Sequence, residues 1–399
     1  MAEQIALAGV CEEIVDCVNR TAPESADGDY FAVGTPAMRG NTIDLGQARR
    51  ISSETFARWT RRLTPREGDL LLAREAPVGP VVRIPPGGNI AAGQRTMHLR
   101  ADPNIVHPRY LYFLLISPEV QNRIALQSMG STVAHLRVAD AKALLLPPLP
   151  ELHDQRAIAE VLGALDDKID ANDRIAATTK ELLSTRFRGL RIDVEAGPGE
   201  AVALCELVTT NPKLPAPKSN PAVYLDMKSL PDRAMTVQSW GHREPRGGAR
   251  FQNGDTLLAR ITPCLENGKV GFIDFLEPGD VGVGSTEYIV LRSNEGIPTA
   301  LPYFLATSER FREFAIRHMA GTSGRQRLAA ADLQDFKVRL PAPEALAEFG
   351  RLADSLLPRV KAAVDESRAL TKTRDELLPL LMSGKIRVRD AERTVEEVV

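Results

Sequence analysis

Two stretches of this 399-residue sequence hold hydroxyls, glycines and cationic donors close enough together to act on one ligand. GSTVAHLRVAD (130–140) offers Ser131, Thr132, His135 and Arg137, and GTSGRQRLAAAD (321–332) offers Thr322, Ser323, Arg325, Gln326 and Arg327. Glycine lets a backbone approach a ligand closely. Hydroxyls donate to phosphate oxygens, and arginine and glutamine carry donors suited to base edges. The chemistry these types suit is contact with a nucleic acid; the alternative is a capped helix end followed by a solvated loop. Arg74 and Arg260, each just after a strand-like run, are further candidates, against the alternative of a salt bridge to Glu75 or Glu266. In HREPRGGAR (242–250), Arg243 and Arg246 could line a groove or sit in a mobile surface loop.

Catalytic patterns are missing from the sequence. An amino-methyltransferase needs a glycine-rich loop for the methyl donor and an Asn/Asp-Pro-Pro-aromatic clamp for a flipped base. The nearest stretch, NPKL (211–214), lacks the second proline and the aromatic. ENGKVG (266–271) and SGKIRV (383–388) lack the upstream glycine and Lys-Ser/Thr pair of a phosphate loop. The 6 histidines form no local ligand set and the 4 cysteines no CxxC pattern, so no metal is expected and the cysteines read as reduced and cytoplasmic. The chain is expected to be a non-catalytic component with no cofactor of its own. A net charge of −2 excludes binding driven by bulk positive charge but leaves local patches open. Of the 50 basic residues 39 are arginine, reflecting either a GC-rich genome or a use for bidentate guanidinium contacts. No run reaches the length of a membrane-spanning helix, so no membrane partner is expected.

These residues must be positioned by a duplicated framework. GDLLLARE (68–75) returns as GDTLLARI (254–261), and EIVDCVN (13–19) is echoed by ELVTTNP (206–212). In the first half Asp69–Ala73, Val81–Ile84 and Thr96–Arg100 read as short strands between Gly/Pro turns. Two helices are expected to meet at Ser117-Pro118, where serine caps and proline opens the second. PYFLATSERFREFAIRHMAGTS (302–323) repeats that order, and each half closes on a short apolar strand and a proline block.

Each proline block precedes a long helix with a heptad seam. The first seam runs Ile158, Leu162, Leu165, Ile169, Ala176, Leu183, Leu190, with Asn172 as either a tolerated polar residue or a register key. The second runs Phe349, Ala353, Leu356, Val360, Ala363, Leu370, Leu377, Leu381, with Pro358 and Pro379 expected to interrupt and bend it. Neither helix can bury its seam alone, so antiparallel pairing of the two is expected. The expected class is α+β: two mixed domains and two long antiparallel coiled-coil helices in a pseudo-two-fold repeat. The expected bounds are a first domain at 1–150, helix 151–190, linker 191–200, second domain 201–343, helix 344–386 and tail 387–399.

LLLPPLPELHDQRAIAEVLGALDDKIDANDRIAATTKELL (144–183) resembles the first central region of specificity subunits (HsdS) of type I restriction-modification systems. The shared features are Pro147–Pro150, Gln155, Ile158-Ala159 and Leu165-Asp166-Asp167-Lys168-Ile169, with Leu152-His153-Asp154 as an added interval before the glutamine. DELLPLLMSGKIRV (375–388) is similar to the family's closing segment, while PEALAEFGRLADSLL lacks an equivalent glutamine. The resemblance implies two target recognition domains reading a bipartite site on double-stranded DNA, held apart by the helices. It further implies two methyltransferase (HsdM) subunits, and optionally two motor-nuclease (HsdR) subunits, with S-adenosylmethionine, ATP and magnesium on those partners. Two other readings stand beside it: a coiled-coil adaptor with repeated protein-binding domains, and a recognition subunit of another restriction or defence system.

Overall fold

A computed structural model describes residues 4–128, 134–195, 197, 200–232, 234–322 and 324–396. The chain divides into two compact units, residues 1–167 with 370–399, and residues 168–369. Each unit holds one mixed domain and a part of each long helix, so the α+β order expected from the sequence is the order found.

The main sheet of the first unit is antiparallel, in the order Cys11–Asp16, Thr96–Ala101, Leu70–Arg74, Val78–Arg83. The second unit repeats it as Val208–Thr210, Tyr288–Ser293, Thr256–Ala259, Val270–Phe272. Each unit adds a second sheet containing one parallel pair, Tyr30–Val33 beside Ile90–Ala92 and Ala222–Leu225 beside Gly282–Gly284. The helix pairs are Pro108–Ile116 with Pro118–Ser128, and Leu301–Thr307 with Glu309–Arg317. Ser117 joins the first pair: its hydroxyl donates to Leu114 O at 2.7 Å, and its carbonyl accepts from Gln121 N at 2.9 Å.

The repeated Gly-Asp has a structural cause. Gly68 and Gly254 have φ of +85° and +89°, where side chains are disfavoured. The aspartate that follows is buried and holds an arginine of the neighbouring strand. Asp69 accepts from Arg100 at 2.6 Å and lies 2.7 Å from His98 Nε2, and Asp255 takes both Nε and Nη2 of Arg292 at 2.7 Å. Each aspartate also accepts a backbone N–H, from Arg66 at 2.9 Å and from Gln252 at 2.8 Å, closing the turn before its strand. Burial raises the Asp69 carboxyl, but the hydrogen bonds from His98, Arg100 and Arg66 outweigh it and hold the pKa below the usual range.

The long helices are Leu152–Leu190 and Pro343–Met382. In the second unit Asn172 Nδ2 donates to Glu366 Oε2 at 2.7 Å, while Phe187 meets Phe349 with ring centroids 6.3 Å apart. Rising numbers on one helix thus meet falling numbers on the other, and the pairing is antiparallel. In the first unit Arg374 Nη1 lies 2.8 Å from Asp166 Oδ1. Ile158, Leu162, Leu165, Leu183, Phe349, Val360, Leu370 and Leu377 are buried, and Ile169 and Leu356 are half-buried. Asn172 is buried as well and gives its proton to a carboxylate that Lys168 approaches at 3.4 Å, which favours the register-key alternative.

The expectation that Pro358 and Pro379 interrupt the second helix is corrected. The helix is continuous through both. Each proline removes one N–H, and the carbonyls left without that donor belong to Asp354 and Asp375, both exposed residues. Gln155 joins the first long helix to its domain, accepting His107 N at 2.8 Å and donating to Pro150 O at 2.9 Å. Close by, Arg109 donates to Gly163 O at 2.7 Å and pairs with Asp167 at 2.6 Å. A Cβ on Gly163 would come within 2.5 Å of that guanidinium, so a larger residue there would displace the arginine from its present position.

Candidate nucleic-acid interface

The two loop candidates and the two arginine candidates, read separately in the sequence, come together in the structure. In the first unit the strand Leu70–Arg74 ends beside residues 135–136: Leu136 N donates to Arg74 O at 2.9 Å, and Glu75 forms a backbone bridge with His135. In the second unit Leu328 N donates to Arg260 O at 2.8 Å, and Ile261 bridges Arg327. On the other side Arg74 N donates to Arg95 O at 2.8 Å, and Arg260 N to Glu287 O at 3.0 Å. These matching bonds define four equivalent positions: Arg74 and Arg260, Glu75 and Ile261, Arg95 and Glu287, His135 and Arg327.

The same framework carries different charges in the two units. In the first, Glu75 lies 3.6 Å from Arg95 Nε and 3.4 Å from His135 Nδ1. In the second the carboxylate has moved to the neighbouring strand: Glu287 takes Arg327 at 2.8 Å and lies 3.9 Å from Arg260 Nε. The Glu287 hydrogen bond and charge raise the Arg327 pKa above its ordinary value. Each unit thus places one carboxylate between two basic groups, so hydrogen-bond acceptors and donors lie side by side.

Arg74 does not sit where a base reader would. It is buried, its Nη2 lies 2.7 Å from Asp16 Oδ1 and its Nη1 donates to Leu136 O at 3.2 Å. The guanidinium therefore props up the loop from beneath. Its partner is Asp16 rather than Glu75, and Arg260 lies beside Glu287 rather than Glu266. Arg137 is exposed and precedes the short helix Val138–Lys142. Thr322 and Arg325 are exposed and joined by a turn in which Arg325 N donates to Thr322 O at 2.9 Å. Gln326 is half-buried and donates its backbone N–H to Thr262 Oγ1 at 3.1 Å. Ser131, Thr132 and Ser323 lie outside the described residues.

Residues 242–243 and 249–250 belong to strands of one sheet, and residues 244–248 form an exposed connection between them. Gly241–Arg243 and Ala249–Phe251 are both strands. Arg243 lies over the Tyr224 ring at 5.0 Å, and Arg246 is exposed and paired with Glu244 at 2.7 Å. Sequence reasoning missed Arg95 and Glu287, which carry no local motif. Among the described residues no group of three or more His, Cys, Asp or Glu side chains is placed to hold a metal ion. No helix among them is long and apolar enough to cross a membrane.

Residues 10–180 match the type I restriction modification DNA specificity domain. The chain is 29% identical over 189 residues to the type I restriction enzyme EcoEI specificity subunit of Escherichia coli, a match covering 42% of this chain and 31% of that protein. It is 27% identical over 120 residues to the HindI specificity subunit of Haemophilus influenzae, covering 30% of this chain and 26% of that one. The matched segments thus span about a third or less of those relatives' own length. The crystal structure of a type I restriction-modification system S subunit from M. genitalium superposes with a TM-score of 0.57 at 15% identity, covering 96% of both chains. That last likeness shows the shared fold. The matched residues cover the first unit's main sheet and most of the helix Leu152–Leu190, and this part of the chain is similar to the type I restriction modification DNA specificity domain.

Proposed function

We propose that this chain is the non-catalytic DNA-specificity subunit of a type I restriction-modification complex, with each unit reading one half of a bipartite double-stranded target. One observation carries the reading. The backbone bonds Arg74 N to Arg95 O and Arg260 N to Glu287 O place different charged side chains on the same scaffold. Two readers of one design with exchanged charges suit two different half-sites. The paired helices Leu152–Leu190 and Pro343–Met382 act as the ruler between them. Half-sites read from one face of a duplex lie about one helical turn, roughly 34 Å, apart. Arg325, Gln326, Arg137 and the clusters around Glu75 and Glu287 contact DNA, while Arg74 positions its loop.

Two methyltransferase subunits assemble on this chain, joined in the restriction-competent form by two motor-nuclease subunits. S-adenosylmethionine, ATP and magnesium are used by those partners. The deciding experiment is sequencing of methylated adenines in cells that express the chain with its methyltransferase. The reading expects one bipartite motif with a fixed non-specific spacer, and a continuous motif would overturn it. Failure of the complex to bind any duplex would favour a protein-binding adaptor.

A further inference from the structure

Each unit has an open cleft at the same place in its repeat. In the first it lies between residues 21–24, 46–49 and 93–95, with a volume of about 330 Å³. In the second it lies between residues 211–214, 247–250 and 286–290, with a volume of about 640 Å³. Thr96 pairs with Ala73 and Tyr288 with Ala259, so the segments just before those strands wall the two clefts equivalently.

Their electrostatics differ. The first cleft is lined by Glu24, which holds Arg49 at 2.9 Å, and its Arg95 leans on Glu75 at 3.6 Å. Among the described residues no carboxylate lines the second, which carries Lys213, Arg250 and Arg260. Lys213 is exposed and has no hydrogen bond or ion pair among the described residues. Arg250 gives one nitrogen to Leu214 O at 2.8 Å, which holds the guanidinium at the wall. Arg260 Nε is buried without a hydrogen-bond partner among the described residues. Glu287, the nearest carboxylate to Arg260, is already occupied by Arg327 at 2.8 Å. The wall itself is fixed: Gly248 has φ of +95°, and a Cβ there would lie 2.2 Å from Gly284 O.

We infer that the second unit takes the sugar–phosphate backbone of duplex DNA into this cleft, with Lys213 and Arg250 as its phosphate-binding cations, whereas the first unit's cleft is neutralised and contributes little. This rests on the DNA reading above and adds to it an unequal division of labour: the second unit supplies more of the salt-dependent affinity. Two exposed cations on a wide cleft, neither paired with a carboxylate among the described residues, suit a phosphodiester chain, because phosphate contacts position a nucleic acid whereas bases are read through hydrogen bonds to their edges.

The test is duplex binding by the complex of this chain with its methyltransferase, measured over a range of salt concentrations and paired with methylation-site sequencing. Each phosphate contact contributes about 0.9 to the slope of log affinity against log salt. The double variant Lys213→Ala/Arg250→Ala should flatten the slope by about 1.8 and leave both half-site sequences unchanged. Arg49→Ala in the first cleft should leave the slope as it is. Both sets of side chains are on the surface, and matching melting curves will show that the variants fold. An unchanged slope in the double variant overturns the inference, as does altered base preference at one half-site without a slope change. If the unaltered complex binds no duplex, the DNA reading itself has failed, not the assignment of the cleft.

Discussion

Asp274 offers a quantitative test of how the second domain is seated on its helix. Its carboxyl is largely buried near Lys361 and Asp365 of the second long helix. Burial raises its pKa most; Lys361 pulls it back and Asp365 pushes it up again, leaving about 6 against an ordinary 3.8. The neighbouring Phe275 stacks on Trp240 at 4.0 Å, and Arg368 lies over the same indole at 4.0 Å. Because the folded-state pKa is the higher one, Asp274 contributes fully below about pH 4, and its contribution is lost as pH rises through about 6. A shift of this size corresponds to about 3 kcal/mol at most. Asparagine keeps the shape and cannot ionise. Asp274→Asn should therefore match the unaltered chain near pH 4 and exceed it by about 1–3 kcal/mol at pH 7.5. The chain has 2 tryptophans, so a Trp59→Phe background leaves Trp240, beside the altered residue, as the single reporter. Urea unfolding followed by its fluorescence between pH 4 and 8 gives the comparison. Equal stability at pH 7.5, or a gap that does not change with pH, would refute the reasoning.

Asp255→Ala removes the buried partner of Arg292 and the acceptor for Gln252 N, and should cost about 3 kcal/mol in thermal unfolding, with a second-unit transition falling first. Loss of less than about 1 kcal/mol would show that the Gly-Asp pair is held mainly by its turn. Inserting a matched heptad into both long helices adds about 10 Å by helical rise. Methylation-site sequencing should then show a spacer longer by roughly three base pairs with both half-sites retained; full activity on the original site would rule out the ruler.

The parts of this molecule that were legible in the sequence are those encoded by local periodicity. The heptad seams marked both long helices, and short β-rich runs between Gly/Pro turns marked the strands. Glycines and prolines marked the turns, and Ser117 marked a helix cap. What stayed hidden depends on strand pairing. Asp69 finds Arg100 and Asp255 finds Arg292 only because neighbouring strands bring them into register. Arg74 read as a nucleic-acid contact or a partner of Glu75 because its actual partner, Asp16, lies on a strand that is distant in sequence. The clusters around Glu75 and Glu287 escaped for the same reason, since their members come from three separate segments. Pro358 and Pro379 misled because the lost hydrogen bonds fall at exposed residues, where water can replace them.

The central claim is that each unit reads its own half of the target. The direct measurement is methylated-adenine sequencing of cells carrying the chain with Arg325, Gln326 and Arg327 all changed to alanine, beside cells with the unaltered chain. The account predicts relaxed sequence preference at one half-site, by about 5- to 150-fold for each lost base contact, and an unchanged second half-site and spacer. Relaxation of both half-sites together would contradict it.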